Sequence, residues 1–208
     1  MKSSYVSEWQ IIHKVIEYLV DNGYCYMDIP SMIRIETIER QEIPIQPFCI
    51  DNGMVLSGSA EQGILESFTN VSVDAELAIV AFNQCFRREY QIDPPYRCEE
   101  FKKVEQFIFT YPENYAKWFE KCLSHVEWLC DQYNLTHRRT DQSIDDGYHL
   151  IKIDVEVFTR QYGWMEIASC SYFGDEQTKR FNIKGKCHTI SCTGVALPRF
   201  LIPIEERQ

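Results

Sequence analysis

The chain has 208 residues, 45% hydrophobic and 13% aromatic, which is enough to bury the core of a single domain and too apolar for a disordered segment. Its formal net charge of −10 excludes the broad basic footprint that non-specific nucleic-acid binding requires. Nine cysteines without a CxxC pair, no apolar leader and no run near the roughly 20 apolar residues of a membrane span predict a soluble cytoplasmic protein with reduced thiols.

Ser7 with Gln10 reads as a capping box opening a first helix. Trp9, Ile12, Ile16, Leu19 and Val20 then recur at helical spacing, and Asp21-Asn22-Gly23 ends the run. Tyr24 to Ile29 reads as a strand stopped by Pro30. Residues 46–58 read as short strands about the Asp51-Asn52-Gly53 turn, 60–68 as a helix, and Ala75 to Phe86 as a strand with its approach. A hairpin follows. Residues 112–134 give the clearest helix, with Tyr115, Trp118, Phe119, Cys122, Val126, Leu129 and Tyr133 in one apolar stripe. Thr136 to Gly147 is polar and reads as a loop. Ile151 to Phe158, Trp164 to Ser171 and Cys187 to Thr193 read as strands, the last leading into a C-terminal helix near Arg199. Runs of strands with flanking helices, without regular βαβ alternation, predict an α+β fold on an antiparallel sheet.

Three segments carry chemistry. Cys85-Phe86-Arg87-Arg88-Glu89, followed by Arg97-Cys98-Glu99-Glu100-Phe101-Lys102-Lys103-Val104-Glu105, places cations, carboxylates and an aromatic on two strands of a hairpin. Such a hairpin can grip a nucleotide. A planar guanidinium bridges two anions with paired hydrogen bonds, which lysine does less well. Arg87 is the candidate bridge. In Trp164-Met165-Glu166-Ile167-Ala168-Ser169-Cys170-Ser171, Glu166 and Ser169 offer hard oxygens three apart, the kind Mg²⁺ takes alongside phosphates. His188-Thr189-Ile190-Ser191-Cys192-Thr193-Gly194, closing on Arg199, reads as a strand and a glycine that admits close backbone approach to a ligand.

Together these segments resemble motifs 2 and 3 of class II aminoacyl-tRNA synthetases, most closely the seryl-tRNA synthetases. The resemblance spans roughly residues 8–208, with its strong motifs after Cys85. It implies a class II sheet flanked by helices, as one domain over residues 1–208. It also implies ATP- and Mg²⁺-dependent activation of a small amino acid, serine first, to an aminoacyl adenylate. On that basis Arg87 bridges substrate carboxylate and phosphate, Phe101 stacks on adenine and Glu89 lies near its amine. Arg97 reads a phosphate, Glu166 and Ser169 hold the metal, and Arg199 takes the γ-phosphate side of ATP. Glu105 reads the amino group. Ser59, Glu61, Ser191 and Thr193 complete the amino-acid subsite, Ser59-Ala60-Glu61 being similar to the Thr-x-Glu loop of seryl enzymes. Asp175, Gln177 and Arg180 continue the Glu166 block in the family's Asp-x-Gln-x-x-Arg pattern.

The chain also departs from the pattern. Glu99 stands where the family often has histidine, and Ser191 and Cys192 stand where asparagine and glycine are usual. Pro198 precedes Arg199 and biases Leu197 away from helix. Alanine and glycine therefore stay open beside serine. Atypical seryl enzymes and related carrier-protein ligases bind zinc through Cys, Glu and Cys. Cys192 and Glu105 would match two ligands, but no cysteine stands near Ser59 or Ala60, so zinc is not expected. The first helix, strand and Pro30 are similar to motif 1 and imply a C₂ homodimer. No segment matches the family's tRNA-gripping arm, and the loop Tyr90 to Tyr96 is short. With the acidic charge, this predicts transfer to a non-standard acceptor: a carrier protein, a metabolite or RNA. Arg138-Arg139, Lys179-Arg180, Lys184 and Lys186 are the dense basic candidates for receiving it. The competing expectation is a catalytically silent paralogue that binds a nucleotide or a protein.

Overall fold

A computed structural model describes residues 7–42, 46–142 and 148–207. Helix α1 (Glu8–Asp21) opens at Ser7, whose backbone N–H donates to Gln10 Oε1 at 3.0 Å. It buries Ile11, Ile12, Val15 and Leu19. The predicted stripe is rotated, because Trp9 and Val20 face solvent at 50% and 43% exposure. Gly23, at φ 91°, turns the chain out of the helix region.

The predicted strand Tyr24 to Ile29 shortens to β1 (Cys25–Tyr26). β2 (Met32–Arg34) pairs antiparallel with β3 (Met54–Leu56). Between them lies a helix the pattern did not predict, α2 (Ile35–Gln41). Ile33, Ile38 and Val55 make a small satellite core under it. α3 (Ala60–Phe68) forms where expected. Then come β4 (Leu77–Phe86), β5 (Glu100–Thr110), α4 (Tyr115–Gln132), β6 (His137–Asp141), β7 (Ile151–Thr159), β8 (Gly163–Gly174), α5 (Glu176–Arg180) and β9 (His188–Leu197). A 3-10 turn, Arg199–Leu201, leads into the four-residue α6 (Ile202–Glu205).

Seven strands make one sheet in the order β1-β4-β5-β9-β8-β7-β6. Its pairs are antiparallel except β1 with β4. The period-2 alternation of β5 explains the layering. Val104 and Ile108 face α1 and α4, joining Val15, Leu19, Cys122 and Val126 in the larger core. Phe107 and Phe109 face the opposite way, packing with Ile64, Leu65 and Phe181. Phe107 is fully buried, so truncating it to alanine costs about 3–5 kcal/mol.

Two corrections have plain physical causes. The polar run from Thr136 contains β6, an outermost strand whose Arg139 binds Glu120 and Glu127 on α4 at 2.7 Å. An edge strand carries charge rather than apolar alternation, so pattern reading takes it for a loop. Residues 143–147 of that predicted loop lie outside the described residues. Gly194 serves packing rather than ligand approach. A β-bulge sets Val104 opposite Val195 and Glu105 opposite Thr193, leaving Gly194 as the extra residue. A Cβ there would sit 3.2 Å from Val104 O and 3.4 Å from Val15 Cγ1.

Candidate active site

A cleft of about 240 Å³ opens over β5, β8 and β9, walled by the connection between β4 and β5. Of the sequence-predicted residues, Arg87, Glu89, Arg97, Phe101, Glu166, Ser169, Thr193 and Arg199 line it. Ser59, Glu61, Glu105 and Ser191 do not.

The lining residues form the open half of the site. β4 ends at Phe86, so Arg87 and Glu89 stand in the connection rather than on the predicted strand. Arg87 N–H donates to Glu99 O at 2.8 Å, which holds the hairpin closed. Its side-chain Nε donates to Gly58 O at 2.7 Å, and its guanidinium lies 5.1 Å from the Phe101 ring centre. Arg97 pairs with Glu89 at 3.8 Å. Arg199 follows Pro198 at the head of the 3-10 turn, not in the helix predicted there. Its Nε donates to Tyr96 O at 3.0 Å and its guanidinium lies 4.8 Å from the Tyr96 ring centre. Arg199 Nη1 also lies 4.0 Å from Glu166 Oε1. Burial, aided by Asp154, raises the Glu166 carboxyl above its ordinary pKa against the pull of Arg199.

Glu166 and Ser169 fit a hard divalent cation. Both face the cleft, and Ser169 Oγ is buried without a hydrogen-bond partner. Among the described residues no group of three His, Cys, Asp or Glu could hold a metal, so phosphate oxygens would have to complete its shell.

The other four residues form a polar cluster beside the cleft. Lys103 lines the cleft and joins the two, reaching Glu105 Oε2 at 2.5 Å and Ser59 Oγ at 3.4 Å. Glu105 is 1% exposed, and its Oε2 accepts no aligned hydrogen bond, so this contact is one of charge. Ser191 Oγ donates to Glu105 Oε1 at 3.0 Å. Glu61 Oε1 accepts from Gln41 Nε2 at 2.6 Å and Gln177 Nε2 at 2.9 Å. Burial, then the neighbouring charge of Glu105, pushes the Glu61 carboxyl up to about 7. The Asp-x-Gln-x-x-Arg continuation therefore braces this cluster: Gln177 holds Glu61, and Arg180 donates to Gln41 O at 3.0 Å.

Lys103, Tyr96 and Lys152 also line the cleft and were missed. Lys103 was legible in principle, because Phe101 and Lys103 are two apart on one strand and share a face. Cys192 is fully buried, opposite Cys170 in the ladder. The basic candidates are mostly neutralised. Arg138 pairs with Glu156 at 2.7 Å, Arg139 with Glu120 and Glu127 at 2.7 Å, Lys179 with Asp175 at 2.8 Å and Arg180 with Glu42 at 3.1 Å.

Residues 49–207 match the family described as tRNA synthetase class II core domain (G, H, P, S and T). The chain belongs to the class II tRNA synthetase core family. The serine–tRNA ligase of Deinococcus radiodurans is 27% identical over 225 residues, covering 96% of this chain and 53% of that protein. The serine–tRNA ligase of Pyrobaculum neutrophilum is 32% identical over 216 residues, covering 92% and 48%. The crystal structure of seryl-tRNA synthetase from Pyrococcus horikoshii complexed with ATP superposes with a TM-score of 0.88 at 24% identity, covering 94% of this chain and 49% of that one. This class II core therefore spans about half the length of the relatives it matches. The mostly antiparallel sheet with flanking helices is the arrangement it shares with them.

Proposed function

We propose that the protein activates a small amino acid, serine first, on ATP, forming an aminoacyl adenylate and releasing pyrophosphate. The observation that carries this reading is the convergence of Arg87, Phe101, Glu166 and Arg199, from separate segments, on one cleft. The serine–tRNA ligase relatives and the ATP-bound structural neighbour support it.

The substrate carboxylate attacks the α-phosphate in line, and pyrophosphate leaves. Arg87 draws carboxylate and phosphate together, Arg97 and Arg199 stabilise the polyphosphate, and Phe101 covers the base with Glu89 near its amine. Glu166 and Ser169 would hold Mg²⁺, which supplies charge neutralisation at the phosphates. Positioning and charge stabilisation do most of the work. Glu105 takes the substrate ammonium in exchange for Lys103. Ser59, Glu61, Ser191 and Thr193 bond a hydroxyl, and a site built to pair a hydroxyl rejects analogues that lack it.

The acid charge of −10, the short Tyr90–Tyr96 loop and the neutralised arginines support transfer to an acceptor other than ordinary tRNA. Exposed Trp9, Val20 and Tyr26, the last on an outer strand of the sheet, support a C₂ homodimer. A cytoplasmic location fits the nine free cysteines. Among the described residues no helix is long and apolar enough to cross a membrane.

ATP–pyrophosphate exchange across the twenty amino acids tests the reaction. Exchange led by serine is expected, and no exchange with any amino acid refutes it. Rapid acid-stable charging of total tRNA with serine would overturn the acceptor reading. A monomeric mass by light scattering at micromolar concentration would overturn the dimer. The second reading, a silent nucleotide-binding paralogue, draws on Lys103 already occupying Glu105. ATP binding without exchange would favour it.

A further inference from the structure

Glu105 has one oxygen to offer a ligand. Its Oε1 accepts from Ser191 Oγ at 3.0 Å, and its Oε2 accepts no aligned hydrogen bond. Lys103 Nζ sits 2.5 Å from that Oε2, in a pair whose side chains are 12% and 1% exposed. A substrate ammonium and Lys103 therefore compete for the same atom. They cannot share it, because like charges repel strongly where water is excluded. Alternation along β5 sets Lys103 between Phe101 and Glu105 on one face, so it borders the cleft on one side and the carboxylate on the other. A displaced Lys103 finds no spare anion in the empty cleft, where Arg87, Arg97, Lys152 and Arg199 outnumber Glu89 and Glu166.

Resting on the amino-acid activation reading above, we infer that Lys103 is a further catalytic cation, held in reserve on Glu105 and released to the ATP phosphates when the substrate ammonium takes Oε2. An ammonium on a flexible four-carbon stem suits a charge that must move, as a rigid guanidinium fork suits one that must not. The release ties the two substrates together. The amino acid alone must expel a cation into a cleft already rich in them. ATP alone must strip a buried carboxylate of its counter-charge, which is costly. Each ligand removes the cost of binding the other, and such coupling acts equally in both directions. The substrate carboxylate then meets the α-phosphate beside a lysine freed from its internal partner.

The test is calorimetric titration of the full chain with an ATP analogue whose α–β bridge is a methylene, so that no adenylate forms. Titrations run alone and with saturating L-serine, ethanolamine or 3-hydroxypropionate. Serine and ethanolamine carry the ammonium and should each tighten analogue binding about tenfold. 3-Hydroxypropionate, which is serine without its amino group, should not. Lys103→Gln should abolish the serine effect and lower exchange kcat, with its fold checked by circular dichroism. Full coupling in folded Lys103→Gln overturns the inference. Equal tightening of wild type by 3-hydroxypropionate also overturns it, and that comparison decides the matter if the variant does not fold. Exchange by wild type without any coupling overturns the inference and leaves the activation reading standing. Wild type that neither binds the analogue nor exchanges with any amino acid removes the activation reading itself, and the inference with it.

Discussion

On the proposed nucleotide side of the cleft, Arg87 and Arg199 are braced through Nε by Gly58 O and Tyr96 O, and each guanidinium rests over an aromatic ring. On the proposed amino-acid side, Glu61 and Glu105 already engage partners within the protein, glutamines in one case and Lys103 and Ser191 in the other. The first half is preorganised: its charges are aimed before the ligand arrives, so little reorganisation opposes binding. The second half must exchange internal partners for substrate. It also carries a carboxyl that titrates near neutrality, whereas arginines stay charged throughout. Binding through the arginines should therefore vary less with pH than amino-acid binding does.

The hardest blow to the preorganised half is Arg87→Ala. Exchange kcat/KM should fall by about 10²–10³, in line with loss of one preorganised electrostatic contact. Arg87→Lys should not restore it, because an ammonium cannot form the paired bonds. Recovery with lysine would show that charge alone suffices there.

Phe101→Ala comes next. Base stacking on an aromatic is worth about 1–3 kcal/mol, so ATP affinity by calorimetry should drop about 10–100-fold. The KM for serine should move far less. Equal losses for both ligands would erase the distinction between the halves.

Glu61 sharpens it through pH. Its carboxyl sits at about 7 against an ordinary 4.5, so between those values the native protein holds a proton that the unfolded chain has released. Its stabilising contribution is full below about 4.5 and is lost as pH rises through about 7, with a cost on the order of 3 kcal/mol. Melting temperatures of Glu61→Gln, measured at pH 5 and pH 8, should differ less than those of wild type. In wild type the serine KM should fall as pH rises through 7, as the ionised carboxylate forms. A flat wild-type profile would remove Glu61 from the amino-acid half.

Ser191→Ala has the smallest effect. It removes one donor to Glu105, worth about 0.5–1.5 kcal/mol, and should change the serine KM a few-fold with ATP affinity intact. A change in ATP affinity instead would place Ser191 in the wrong half.

Periodicity carried the elements that bury a long face. α3 formed over the predicted 60–68, and Phe119, Cys122, Val126 and Leu129 of the α4 stripe are buried. It failed for α2 and β6, which are short and rich in charge, and it misjudged the buried face of α1. The residues that line the cleft could be picked out together because they sit in compact motifs with distinctive chemistry. The amino-acid half was named residue by residue, yet its coupling was not legible. The Lys103–Glu105 pair and the Gln177–Glu61 bond depend on register and on contacts across 116 residues for the latter.

The pairing of β5 with β9 has a consequence during synthesis. Glu105 meets Ser191 across 86 residues of chain, so this edge of the β4–β5 hairpin stays open while α4 and β6 to β8 emerge from the ribosome. At roughly 5–20 residues per second that wait lasts on the order of 10 s. An open strand carrying Phe107, Ile108 and Phe109 is a template for association with other nascent chains. Glu100, Lys102, Lys103 and Glu105 at its leading end act as gatekeepers over that interval, so charges that later serve the cleft first keep an unfinished sheet from aggregating.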